Sequence, residues 1–183
     1  MDTYTTFRKA ALALKTMAIF AIAAPAHADT DTQQGSSQAE IVEPITVTKT
    51  TDLDFGKIVA HSTGIGRVRI NARNGNRTHN ANTSVLGTTG FSRALFDVTG
   101  EARRFVILST SSNTITLTGP GTPMTVDRLR VSRNNRGQRS LPRRYRLPRS
   151  GSMEIGFGGR LNVPANQTPG IYTGTFDLTV IYE

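Results

Sequence analysis

The strongest constraint in this sequence is a two-residue apolar period. It is clearest at the C-terminus, where Phe176, Leu178, Val180 and Tyr182 alternate with Asp177, Thr179 and Ile181. Alternation of this kind puts successive side chains on opposite faces of a β-strand. Ile45 and Val47 alternate with threonines, and Leu53 and Phe55 keep the same parity until Gly56 breaks it. Arg67–Asn71 is apolar on one side and basic on the other, and Phe91–Val98 gives Ala94, Phe96 and Val98 one face. Shorter strand signals follow at Phe105–Leu108, Thr114–Thr118, Met124–Val126 and Leu129–Val131; Met153, Ile155 and Phe157 then share a face, as do Leu161 and Val163. The Asn-rich stretch Ala72–Thr83 reads as a loop and Gly119-Pro120-Gly121 as a turn. Beyond the first 28 residues no segment of helical length keeps a helical period. The expectation is an all-β chain of roughly eight or nine strands arranged as a sandwich, and a doubly wound α/β fold is disfavoured.

The 183 residues suffice for one domain. Residues 1–28 read as a secretory signal peptide. Arg8, Lys9 and Lys15 are the basic n-region, Met17–Ala24 the apolar h-region, and Ala26-His27-Ala28 the cleavage pattern, leaving Asp29 as the new N-terminus. An N-terminal membrane anchor is the competing reading, against which the h-region is short. Removing the signal takes away three basic residues and Asp2, lowering the formal charge by two from +9. Residues 29–40 are polar, with no large apolar side chain, and read as a flexible arm. The β-domain is expected over 41–183. There is no cysteine, so an exported domain would rest on its core alone, and thiol chemistry and Cys-ligated metals are excluded.

Candidate chemical sites are few. His61 and His79 lie in loop-like sequence without a metal-ligand neighbour at i+4. Asp52 and Asp54 share one side of a strand but offer too few oxygens for calcium, and read as a solvated edge. No Gly-x-Ser-x-Gly elbow occurs. Gly156, Gly158 and Gly159 lie within a strand pattern, where a bulge or bend accounts for them better than a phosphate cradle. No catalytic residue, cofactor or metal is assigned, and the chain is read as non-enzymatic. The unusual feature is nine arginines without an intervening carboxylate: Arg128, Arg130, Arg133, Arg136, Arg139, Arg143, Arg144, Arg146 and Arg149. Asn134, Asn135, Gly137 and Pro142 suggest a projecting loop. Guanidinium groups bind phosphate and carboxylate bidentately, so this loop is a candidate polyanion site; with Tyr145 its sole aromatic, it offers no base-stacking platform. Solvated surface is the competing reading.

Three stretches carry a family resemblance: Leu53-Asp54-Phe55-Gly56-Lys57-Ile58, Ala94-Leu95-Phe96-Asp97-Val98-Thr99-Gly100, and the closing pattern from Gly158 to Val163 and Ala165 to Phe176. Together they resemble a small secreted bacterial family, domain of unknown function 4402. The resemblance implies an immunoglobulin-like sandwich akin to common-pilus-type and spore-coat-U-type fimbrial subunits, with no catalytic residues. The C-terminus is also similar to chaperone–usher pilins, which end in an alternating strand with a penultimate tyrosine and a glycine fourteenth from the end, here Tyr182 and Gly170. That similarity implies that Gly170, Phe176, Leu178, Val180 and Tyr182 form a strand paired by a chaperone or a like subunit. Two departures stand out: no disulfide, and an arm whose one small apolar anchor is Ala39. The expected product is an exported structural protein of the periplasm, cell surface or extracellular space. Its implied partners are a periplasmic chaperone and usher, or like subunits. The alternative is a freestanding module binding acidic polymers; neither reading involves a small-molecule substrate.

Overall fold

In the computed structural model, residues 31–183 are described, and the expected signal peptide lies outside them. Residues 31–39 form no helix or strand and are exposed. From Glu40 onward every regular element is a strand: β1 (Thr46–Thr51), β2 (Lys57–Ala60), β3 (Gly66–Ile70), β4 (Arg77–His79), β5 (Thr83–Leu86), β6 (Ala94–Thr99), β7 (Phe105–Ser109), β8 (Ile115–Leu117), β9 (Met124–Arg133), β10 (Arg136–Arg139), β11 (Arg143–Arg146), β12 (Ser152–Val163) and β13 (Thr179–Tyr182).

The strand β12 organises the larger sheet. Its first half pairs with β6 and its second half with β3 along one edge, while β9 runs along the other. The strand β1 extends β6, β4 extends β3, and β8 and β10 extend β9. A second sheet has the order β11-β7-β13, and β2 and β5 form a two-stranded ribbon. All the pairings are antiparallel. Alternating inward side chains build the core of this β-sandwich: Ala94, Phe96 and Val98 from β6, Met153, Ile155 and Phe157 from β12, and Val106 and Leu108 from β7.

More strands form than the periodicity suggests, and three segments depart from its reading. Met124–Val126 and Leu129–Val131 belong to one strand, joined through Arg128 at φ 48°. The β9–β12 register shifts between Gly158 and Arg160, a bulge that reverses the parity of β9 and lets Met124, Val126, Leu129 and Val131 all face inward. The Asn-rich stretch contains β4. The stretch Arg128–Arg149 is not a projecting loop: β9 and β10 form a hairpin through Asn134 and Asn135, both at positive φ, and β11 joins the other sheet. Asparagine tolerates this backbone conformation, so the turn residues tighten a hairpin where a long loop is expected from composition. The glycines of β12 answer to packing as well as to the bulge. A Cβ at Gly156 would lie 2.2 Å from the Ala72 carbonyl oxygen, and one at Gly158 would lie 2.4 Å from that of Ile70. The chain leaving β3 crosses directly over them.

Candidate functional site: an open groove and an arginine cleft

The C-terminal residues read as an inward face do pack on the core, but only halfway. Phe176, Leu178, Val180 and Tyr182 are each half-buried while Asp177, Thr179 and Ile181 are exposed. The Phe176 ring stacks on Phe157 with centroids 4.5 Å apart and meets Phe96 edge-on at 6.0 Å. Only Thr179–Tyr182 forms a ladder, with β7. Upstream, Thr173 and Thr118 exchange backbone hydrogen bonds of 2.8 and 2.9 Å.

Opposite this segment runs Asp52–Ala60. It too is tied on one side only, through the Asp54–Ser92 exchange at 2.9 Å and the β2–β5 ribbon. Among the described residues no backbone hydrogen bond joins 52–60 to 167–176. Between them lies a groove of about 830 Å³. Its floor is core: Ile115, Leu117, Met124, Val126, Leu161 and Val163. Gly170 lies on the same wall as Phe176, against Pro120. Beyond the groove, the Tyr182 hydroxyl donates to the Glu43 carbonyl at 2.7 Å and accepts from the Glu101 N–H at 2.6 Å. The arrangement is that of a sandwich open along one edge, with two backbone edges facing each other over an apolar floor.

The nine arginines disperse. Arg144 pairs with Glu183 at 2.5 Å and lies over the Phe105 ring at 3.6 Å. Arg130 donates to Ser140, and Arg128, Arg139 and Arg143 are exposed. Arg133, Arg136, Arg146 and Arg149 converge with Arg103, which periodicity had not singled out, on a cleft of about 780 Å³. Arg103 comes from the turn between β6 and β7, at φ 64°. Charge alone could have flagged it; only the fold places it here. Carbonyls hold the cleft together: Arg133 donates to Arg146 O at 3.1 Å and Arg146 Nε to Arg103 O at 2.8 Å. The Arg133 guanidinium also approaches the Tyr145 ring, 5.5 Å from its centroid, and burial pushes that phenol above its usual pKa.

Of the other candidates, His61 meets Ser84 Oγ at 3.2 Å and His79 lies on β4. Asp52 pairs with Lys49 at 2.5 Å, and Asp54 accepts from the Gly56 N–H at 2.7 Å. No group of three or more metal-ligating side chains occurs among the described residues. A protein-family model described as "Domain of unknown function (DUF4402)" matches residues 45–182. No curated protein and no solved structure matches the chain.

Proposed function

The chain belongs to the DUF4402 family, and from that premise we propose that it is a non-enzymatic, exported structural protein, fimbrial-subunit-like, whose groove takes an extended strand from another chain. The observation that carries this reading is the groove between 52–60 and 167–176, where two backbone edges face each other over a floor of core side chains. An inserted strand would hydrogen-bond to these edges and set alternate apolar side chains on Ile115, Leu117, Met124 and Val126.

The donor we propose is an alternating apolar strand of another exported chain, a periplasmic chaperone or a dissimilar subunit. The chain's own residues 31–40 offer only Ala39. Farther along, Ile41 is 98% exposed, but Ile45 packs on the chain's own core and the Glu43 carbonyl is engaged by Tyr182.

The test uses the secreted chain from Asp29, alone and with a synthetic nine-residue peptide alternating valine and threonine. The expected results are binding of a hydrophobic dye by the free protein, displacement of that dye by the peptide, and a higher Tm in the complex. A free protein that binds neither dye nor peptide would refute the groove reading. Deleting residues 29–42 should leave the oligomeric state unchanged; loss of a stable multimer on deletion would make this arm the donor instead.

A second reading, a freestanding module that binds polyanions, is favoured by one observation, the convergence of five arginines on a single cleft.

A further inference from the structure

We infer that the cleft formed by Arg103, Arg133, Arg136, Arg146 and Arg149 is a binding site for compact, multiply charged phosphate, an oligophosphate or closely spaced phosphomonoesters. The inference rests on the polyanion reading and is independent of the groove.

Three observations point to it. First, the charge is concentrated and uncompensated. None of the five arginines belongs to an ion pair among the described residues. Acids on neighbouring segments are engaged elsewhere: Glu154 with Arg93, Glu40 with Arg104, and Glu101 with the Glu43 N–H. Like charges held in one concavity repel, and their field favours a multivalent anion.

Second, the cleft is built, not a chance meeting of long side chains. Arg133 and Arg146 are fixed by backbone carbonyls contributed by Arg146 and Arg103. The Phe105 ring carries Arg146, with the guanidinium 5.5 Å from its centroid. The turn and β11 are further joined by Leu147 N–H to Arg104 O at 2.9 Å. On this frame Arg103, Arg136 and Arg149 make no side-chain hydrogen bond or ion pair among the described residues, so their donors remain available.

Third, the chemistry selects phosphate over a nucleic-acid base. The planar guanidinium fork matches phosphate oxygens bidentately. The remaining lining residues are Asn134, Leu147 and Pro148, with no aromatic ring among them. The nearby rings of Phe105 and Tyr145 already lie under arginines. A base would find nothing to stack on.

The experiment titrates tripolyphosphate into the secreted chain, into Arg136→Gln/Arg149→Gln, and into Arg67→Gln/Arg69→Gln. The last pair lies on exposed positions of β3, paired with the far half of β12, and removes the same charge. Both double variants should keep the unliganded Tm, because none of the four side chains is buried. The expected result is a dissociation constant raised by about tenfold or more in the cleft variant and little changed in the β3 variant. Equal weakening in both would show that binding follows net charge, and would overturn the site. Heparin separates the two levels of the argument: heparin binding without tripolyphosphate binding overturns the phosphate site and leaves the polyanion reading standing, whereas binding of neither overturns both. Glucose 1,6-bisphosphate distinguishes the sources. If it binds more tightly than tripolyphosphate, the phosphate is carried on a saccharide; if more weakly, it is a free oligophosphate, and either order with the cleft dependence supports the site.

Discussion

The Tyr182 hydroxyl offers the sharpest test of how the C-terminal strand is anchored. It accepts from the Glu101 N–H at 2.6 Å and donates to Glu43 O at 2.7 Å. Tyr182→Phe removes both bonds and keeps the ring. The Glu43 carbonyl is exposed and regains water, so its loss contributes little. The Glu101 N–H is partly buried and loses its partner, which costs roughly 1–2 kcal/mol. Against a typical domain stability of about 5–15 kcal/mol this is readily measured, as a Tm drop of about 3–6 °C. Gly100 supplies the control, because a Cβ there would fall 2.5 Å from the same hydroxyl. Gly100→Ala should displace the hydroxyl and disrupt the same bonds. Urea unfolding of the two single variants and the double variant forms a cycle, with unchanged m-values expected throughout. The double variant should lose at least about 0.5 kcal/mol less than the sum of the singles. A loss below about 0.3 kcal/mol in Tyr182→Phe, or strictly additive losses, would refute the reasoning.

Phe176→Ala removes a half-buried ring stacked on Phe157, and should cost about 2 kcal/mol in urea unfolding, less than the roughly 3–5 kcal/mol typical of a fully buried phenylalanine. Gly158→Ala places a methyl 2.4 Å from Ile70 O on a crossing backbone; it should destabilise by about 2 kcal/mol or more, and near-neutral behaviour would mean the crossing is loose. Arg160 donates to both Asp127 carboxylate oxygens, at 2.8 and 2.5 Å, and these hydrogen bonds hold the carboxyl below its usual pKa, opposed by burial. The folded form therefore binds that proton less tightly than the unfolded chain. The pair's stabilisation is full at neutral pH and is lost as pH falls below about 4 toward the lowered folded value. Asp127→Asn should flatten that part of the stability curve, and an unchanged acid limb would remove the pair from the explanation.

Much of the architecture follows from the sequence because a two-residue period is a local property of an extended backbone. Phe96 and Val98, Ile155 and Phe157, and the parity of Phe176 through Tyr182 are legible residue by residue, as are the all-β class and the family resemblance. The period cannot show where parity reverses. Leu129 and Val131 face the same core as Met124 and Val126 only because Arg128 bulges opposite β12. Nor can charge along the chain show which arginines meet. Arg144 finds Glu183 while Arg103, from a turn thirty residues before Arg133, joins Arg133 and Arg136. The groove is likewise tertiary: each of its walls reads as ordinary strand or loop, and it exists because each wall bonds outward and leaves the other unpaired. Alternation decides which side of a strand is apolar, whereas long-range pairing decides which edges meet, and both candidate sites lie where distant edges and turns come together.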